Sequence, residues 1–174
     1  MQTILEKAKK IKLVIFDVDG VLTDARLYFN ANGVELKAFN VQDGVGMKLL
    51  LEFNIEVGII THHQSPIVFE RMKTLGIQHI FIAQGPKLPC YEELLTKLKL
   101  SAEQVAYVGD DILDLAILKR AGLSIAVQNA VPAIFPFVDW KTLNSGGHGA
   151  AREVCDLILN AQGYSAKIIE KYSQ

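Results

Sequence analysis

The stretch IKLVIFDVDGVLTD, residues 11–24, joins an apolar run to an acidic turn. Its first six residues are almost all apolar, which is typical of a strand buried on both faces in a parallel sheet. Two carboxylates follow, at Asp17 and Asp19, and Gly20 then lets the backbone turn away. Because residues i and i+2 of an extended segment point to one side, we expect both carboxylates to face one pocket.

Four further apolar runs repeat this strand pattern, and segments with helical spacing of apolar residues lie between them. The predicted strands are residues 11–16, 55–61, 79–83, 105–109 and 123–127, and the predicted helices are residues 43–54, 65–76, 87–100 and 112–122. This alternation predicts an α/β fold, a doubly wound parallel sheet of the Rossmann type with helices on both faces. A length of 174 residues fits one domain, residues 1–174.

Residues 26–40 depart from this alternation. ARLYFN and VELKAFN flank the turn residues Ala31-Asn32-Gly33, which predicts a β-hairpin inserted after the first strand. A hairpin alone is marginally stable in water, and nothing in the sequence shields its apolar positions. It either pairs with other subunits or folds back on its own domain, and the periodicity favours neither alternative.

Composition argues against several classes of protein. The net charge is −1 with both signs interspersed, so nothing favours binding to nucleic acid or an anionic membrane. No run approaches the roughly 20 apolar residues that cross a bilayer, and the first residues lack a signal-peptide pattern. Cys90 and Cys155 suggest neither a disulfide framework nor a zinc site, as in a reducing cytoplasm. The last residues, 163–174, are polar and predict a loosely held tail.

Polar side chains gather where the predicted strands end, and this edge of a parallel sheet is where ligands bind. Several carboxylates in one pocket repel each other unless a cation is present. Oxygen ligands without convergent histidines favour Mg²⁺ over zinc. An EF-hand is excluded, because Val21 and Tyr28 stand where that loop needs oxygen ligands. The residues at this edge are Asp17, Asp19, Thr61, Lys87, Asp110, Asp111 and Asp114.

A metal beside an acidic pair favours phosphoryl transfer through an aspartyl-phosphate. Asp17 is the predicted nucleophile, and Asp19 is the predicted acid and base, a role worth about 10² to 10⁴ in rate. Thr61 can donate a hydrogen bond to a phosphate oxygen, and Lys87 can balance negative charge. Each residue alone is more often a cap, a turn residue or a solvated lysine. Their joint arrangement favours the catalytic interpretation.

Several motifs resemble the haloacid dehalogenase superfamily of phosphohydrolases: DVDGVLTD (17–24), the threonine after the second strand, the following lysine, and GDDILD (109–114). The hairpin, residues 105–118 and residues 146–163 resemble, more narrowly, the 3-deoxy-D-manno-octulosonate (KDO) 8-phosphate phosphatases. The resemblance implies a cytoplasmic, Mg²⁺-dependent sugar-phosphate phosphatase of lipopolysaccharide biosynthesis, without a separate cap domain. It also implies a homotetramer joined through the hairpins, with each active site near a subunit interface.

The resemblance also assigns the metal ligands by position. Asp17 and Asp110 become ligands through their carboxylates, and Asp19 through its backbone carbonyl. Asp111 and Asp114 lie behind these ligands and support them.

The chain departs from the family where the substrate would bind. His62 and His63 stand where the family usually has Gly-Arg or a small polar pair, and His148 stands where it has Arg or Lys. A neutral histidine holds a sugar carboxylate less firmly than an arginine does. Arg71, on the helix that follows, could supply a compensating charge. His62, Arg71 and His148 are therefore the candidate substrate-binding residues, and a nine-carbon acidic sugar phosphate is the alternative substrate.

Two other functions fit part of the pattern. Receiver domains of signalling pairs also combine a doubly wound sheet, an acidic Mg²⁺ pocket, a threonine and a lysine. They phosphorylate an aspartate on the third strand, whereas here Lys87 follows the third strand. A catalytically weakened subunit retained for assembly is the other alternative, since two expected cations are missing. Turnover of a phosphate ester distinguishes an enzyme from both.

Overall fold

The chain alternates strands and helices after a short first helix, and the computed structural model describes residues 2–33, 35–83 and 85–174. Short 3₁₀ turns cover Ala102–Gln104, Ile112–Asp114 and Pro132–Phe137. The other elements, in chain order, are α1 (Gln2–Ala8), β1 (Leu13–Phe16), β2 (Tyr28–Phe29), β3 (Glu35–Leu36), α2 (Val41–Glu52), β4 (Glu56–Thr61), α3 (Pro66–Thr74), β5 (His79–Ile82), α4 (Leu88–Leu98), β6 (Val105–Gly109), α5 (Leu115–Leu118), β7 (Leu123–Ala126), β8 (Trp140–Lys141), α6 (Ala150–Ala161) and α7 (Ser165–Tyr172).

Six parallel strands form the central sheet, in the order β5-β4-β1-β6-β7-β8. The five predicted strands are all present, and the doubly wound α/β fold is confirmed. Strand β8 was not predicted, because a strand of two residues carries no periodicity. The chain winds from β1 through β4 to β5, then crosses to β6 and winds the other way. This reversal places a ligand crevice at the carboxyl ends of β1 and β6.

The core lies on both sides of β1, whose four residues are fully buried. Helix α2 packs on α6, which also contacts α1 and α7, while α4 contacts α5. Gly46 on α2 allows the close helix approach, since a Cβ atom there would lie 3.0 Å from Cβ of Cys155 on α6. Cys90 and Cys155 are both free thiols, and Cys155 is fully buried. No helix of the described residues is long and apolar enough to span a bilayer.

The residues after Gly163, where we expected a loosely held tail, form helix α7, which contacts the core on one side but has no fully buried residue. The ring of Tyr164 stacks on Phe53 with 4.5 Å between ring centroids, and Ile168 packs against the core one turn later. The overall polar composition hid this pattern, because only one narrow stripe of α7 is apolar.

The predicted hairpin is present as β2 and β3, which pair antiparallel with Tyr28 opposite Leu36. Val34 lies outside the described residues. The hairpin exposes large apolar side chains, with Leu27 and Phe29 each 59% exposed. Its returning strand nevertheless contacts its own domain through the side chains of Glu35 and Lys37, described below. One part of the hairpin therefore folds back on its own domain, and pairing of its exposed part with other subunits stays a prediction.

Two loops from distant parts of the chain are in backbone contact beside the crevice. Gly147 N donates to Val21 O at 3.0 Å, and Gly146 N donates to the side-chain oxygen of Asn129 at 2.9 Å. A Cβ atom at Gly146 would lie 1.7 Å from the carbonyl oxygen of Gly20. Only glycine therefore fits at residue 146.

Gly146→Ala is expected to lower the free energy of unfolding by about 1–3 kcal/mol, because the added methyl group meets backbone that cannot rotate away. Urea unfolding followed by circular dichroism measures this loss. Gly85→Ala is the matched control, since a Cβ atom at Gly85 has no neighbour within 4 Å. Equal losses in both variants would contradict the importance of the contact between the two loops.

Candidate active site

A buried lysine holds the predicted nucleophile. Lys87, just before α4, places its ammonium 2.6 Å from Asp17 Oδ2 and 2.8 Å from Asp114 Oδ1, and its side chain is 1% exposed. Burial alone would lower the pKa of Lys87, but the two carboxylates outweigh burial and raise that pKa above its ordinary value. The lysine therefore remains a cation between Asp17 and Asp114.

Asp114 organises the loop that follows β6. Its Oδ1 accepts from the hydroxyl of Tyr107 at 2.6 Å as well as from Lys87, and its Oδ2 accepts from the backbone N–H groups of Asp110 and Asp111 at 3.0 and 3.2 Å. Both oxygens of this fully buried carboxylate are thus engaged by the protein. This arrangement suits the supporting position that the resemblance implies for Asp114.

Three carboxylates converge at the crevice: Asp17, Asp110 and Asp114 each offer an oxygen within 4.8 Å of the others. Burial raises the pKa of Asp17 to about 6, opposed by Lys87 and reinforced by Asp114. Burial, and next the charges of Asp17 and Asp114, raise the pKa of Asp110 to about 7. Neighbouring carboxylates with raised pKa values favour protons or a cation between them.

This donor set fits Mg²⁺, because the cluster offers carboxylate oxygens and Mg²⁺ prefers oxygen ligands. Asp17 and Asp110 would hold the ion, since both oxygens of Asp114 already accept hydrogen bonds. Gly20 has φ of +91°, and a Cβ atom there would lie 2.0 Å from Asp110 Oδ2. The backbone at Gly20 therefore passes directly beside the Asp110 carboxylate.

The carboxylate of Asp19 is not one of the three that converge within 4.8 Å. That it shares one pocket with Asp17 stays a prediction. The strand ends at Phe16, and the carbonyl oxygen of Val18 then accepts three successive N–H groups of a tight turn. The rule that residues i and i+2 face one side holds only for extended backbone. Asp19 instead accepts a hydrogen bond from Lys37 of the hairpin.

Thr61, the last residue of β4, and the two histidines that follow it make contacts beside the crevice. Thr61 is buried, and its hydroxyl oxygen accepts from His63 N at 3.3 Å. Nε2 of His62 lies 2.8 Å from Gly85 O, which joins this loop to the loop after β5. Nε2 of His63 lies 3.3 Å from a carboxylate oxygen of Glu35.

The other two substrate-binding candidates, Arg71 and His148, lie beside residues of α2 and of the loop after β1. The guanidinium of Arg71 packs against Gly44 of α2, where a Cβ atom would lie 2.6 Å from Nη2. His148 is exposed and interacts electrostatically with Asp24 and Asp43. The roles of His62, Arg71 and His148 in binding substrate stay predictions.

Two residues that contact predicted site residues were not predicted from the sequence: Lys37, which contacts Asp19, and Tyr107, which contacts Asp114. Glu35, which contacts Lys37, was not predicted either. Glu35 lies in the returning strand of the hairpin and Lys37 directly follows that strand, and both side chains reach the same ion pair. That charged pair in an otherwise apolar hairpin was the available signal. Tyr107 has a polar tip in an apolar strand, and a buried tyrosine hydroxyl usually finds a partner.

Comparison with known proteins decides the family. The pattern of the haloacid dehalogenase-like hydrolases matches residues 61–154. The 3-deoxy-D-manno-octulosonate 8-phosphate phosphatase of Salmonella typhi is 50% identical over 160 residues, which are 92% of this chain and 85% of that protein. The chain belongs to this phosphatase family. The resemblance inferred from the sequence motifs is thereby confirmed.

Solved structures of the phosphatase family share the fold over nearly the whole chain. The Moraxella catarrhalis phosphatase, in complex with magnesium ion, phosphate ion and KDO, is 42% identical with a TM-score of 0.96, covering 99% of each chain. The cobalt-bound Haemophilus influenzae phosphatase is 39% identical with a TM-score of 0.91, covering 97% of this chain and 99% of that one.

Asp110→Asn is expected to become more stable relative to wild type as pH rises from 5 to 8 in metal-free buffer. The folded pKa of Asp110, about 7, exceeds its ordinary value of 3.8. The folded wild type thus binds the extra proton in this window and loses stability as that proton leaves, whereas asparagine does not titrate. The difference should grow by about 1–3 kcal/mol, measured by urea unfolding with a chelator present.

Asp156→Asn, on an exposed position of α6, controls for the amide substitution. A difference between Asp110→Asn and wild type that stays constant from pH 5 to 8 would contradict the proposed repulsion within the cluster.

Proposed function

We propose that this chain is a Mg²⁺-dependent phosphatase that hydrolyses KDO 8-phosphate to KDO and inorganic phosphate. The observation that carries the proposal is the buried Asp17 held by Lys87 beside Asp110, in a chain that is 50% identical to a phosphatase with this substrate. The solved Moraxella catarrhalis relative holds magnesium, phosphate and KDO together. The product would serve lipopolysaccharide biosynthesis.

In the first step, a carboxylate oxygen of Asp17 attacks phosphorus as the bond from phosphorus to the sugar oxygen breaks. The carboxylic acid of Asp19 gives its proton to that sugar oxygen, so the alcohol leaves neutral and Asp19 becomes a carboxylate. The products of this step are free sugar and phosphorylated Asp17.

In the second step, water attacks the phosphorus of the phosphorylated Asp17. The carboxylate of Asp19 takes a proton from this water, and the bond between phosphorus and the Asp17 oxygen breaks. Inorganic phosphate leaves, the carboxylate of Asp17 is restored, and Asp19 is again an acid. One residue thus serves as acid and then as base.

The surrounding residues stabilise charge during both steps. Lys87 lies 2.6 Å from Asp17 and offsets negative charge on the nucleophile. The hydroxyl of Thr61 accepts from backbone, which leaves its proton free for a phosphate oxygen. Mg²⁺, when bound by Asp17, Asp110 and the carbonyl of Asp19, supplies positive charge that offsets the carboxylates and the phosphate.

Asp111 and Asp114 shape the loop that carries Asp110. Asp111 Oδ1 accepts from Ile112 N at 2.5 Å and caps the 3₁₀ turn, while Asp114 accepts the backbone N–H groups of Asp110 and Asp111. These bonds hold Asp110 at the carboxyl end of β6. His62, Arg71 and His148 are proposed to contact the acidic sugar.

Purified protein is expected to turn over KDO 8-phosphate with Mg²⁺ and to be inactive with a chelator. Release of inorganic phosphate measures this, against a panel that includes nine-carbon acidic sugar phosphates. Faster turnover of a nine-carbon sugar phosphate would overturn the assigned substrate. A single phosphorylation without turnover would instead support the receiver alternative.

Asp17→Asn is the control for this assay, because it removes the attacking oxygen while keeping the size of the side chain. Turnover should be lost entirely. Near-normal rates in this variant would contradict the covalent mechanism.

We also propose that the chain forms a cytoplasmic homotetramer through its hairpins. The apolar side chains of Leu27, Phe29 and Leu36 are more than half exposed, at 59%, 59% and 52%. A two-stranded sheet with two-residue strands also leaves its strand edges unpaired, and a second copy of the hairpin can cover both.

Multi-angle light scattering should give the mass of four chains for wild type and a smaller mass for Phe29→Glu, which places a charge on the exposed apolar side of the hairpin. Leu143→Glu is the matched control, since Leu143 is 86% exposed outside the hairpin. A monomeric wild type would overturn the tetramer. Dissociation by both variants would overturn the assignment of the hairpin as its interface.

A further inference from the structure

Each of the two aspartates proposed to react has its own buried lysine. Lys87 lies between Asp17 and Asp114, with its side chain 1% exposed. Lys37 lies between Asp19 and Glu35, with its side chain 2% exposed. In both cases one ammonium is shared by the reacting aspartate and by a second carboxylate that does not react.

The position of Lys37 is itself fixed by its contact with Glu35. Its ammonium lies 3.2 Å from Oε1 of Glu35. Ser65, buried just before α3, donates to Oε2 of Glu35 at 2.8 Å, and His63 lies 3.3 Å from Oε1. The returning strand of the hairpin is thus tied to the start of α3 and to the turn that carries Asp19.

We propose that Lys37 is a positioning residue for Asp19, an inference that rests on the phosphatase function proposed above. Asp19 lies within a tight turn, and its side chain is 31% exposed. Lys37 is its one side-chain hydrogen-bond partner within residues 2–33, 35–83 and 85–174. The bond engages Oδ1 of Asp19 and leaves Oδ2 for the proton that passes to the sugar oxygen.

Lys37 is poorly placed to bind the acidic group of the sugar itself. Its side chain is almost fully buried, and its ammonium is already engaged by the side chains of Asp19 and Glu35. Its contribution is therefore to hold Asp19 in the geometry that proton transfer needs, and a misplacement of about 1 Å can cost about 10²-fold in rate.

The test compares two phosphate esters that differ in how much they need an acid. A sugar alkoxide is a poor leaving group and must be protonated, whereas p-nitrophenolate leaves readily without a proton. Lys37→Met should lower kcat/KM for KDO 8-phosphate by about 10- to 100-fold, with most of the loss in kcat rather than KM. The value of kcat/KM for p-nitrophenyl phosphate should change by less than about threefold.

A purely structural role for Lys37 would lower kcat/KM for both esters equally. Lys97→Met, the same substitution on an exposed position of α4, is the matched control and should change neither ester. Lys37→Arg retains a cation and should recover part of the loss on KDO 8-phosphate. Asp19→Asn should show the same dependence on the leaving group, and more strongly.

Removal of Lys37 alone leaves two carboxylates facing each other, which can unfold the hairpin. The double variant Lys37→Met, Glu35→Gln avoids this and should show the same selective loss. Equal losses on both esters, or none, in an active and folded variant would overturn this inference alone. A wild type that turns over neither ester would overturn the proposed function and this inference with it.

Discussion

The site depends on one electrostatic constraint, the gathering of carboxylates out of water at the carboxyl ends of β1 and β6. Burial raises the pKa values of Asp17 and Asp110 to about 6 and about 7. The ammonium of Lys87 offsets part of the repulsion between these carboxylates. A divalent cation completes the compensation. Metal affinity, nucleophile position and the conformation of the loop after β6 are therefore properties of one charged cluster.

The outgoing and returning parts of the hairpin have different surroundings. The side with Leu27 and Phe29 is exposed and apolar, whereas Glu35 and Lys37 return into the charged surroundings of the crevice. A contact with the exposed apolar side chains can therefore change the position of Asp19, because β3 and Lys37 connect the two. In the proposed tetramer, subunit association and the position of the proposed acid would be linked within each chain.

Most of the architecture could be predicted from the sequence, because each buried strand is a short apolar run and each is followed by a segment with helical spacing. The cluster of Asp17 and Asp110 could be predicted for the same reason, since parallel strands end at one edge. The direction of Asp19 could not, because it depends on a tight turn after Phe16 and on Lys37, a long-range contact that periodicity does not encode. The packed helix α7 and the two-residue strand β8 also depend on tertiary contacts rather than on local pattern.

The backbone contact between Gly146 and the Gly20 turn has a consequence for how the enzyme is made. The turn that carries Asp19 is synthesised long before its packing partner at Gly146, because most of the fold lies between them in the chain. Contacts between segments so distant in the chain form late, after intervening elements have docked. A growing polypeptide would therefore hold its acidic residues unassembled until Gly146 has been synthesised, and metal capture would accompany a late stage of folding.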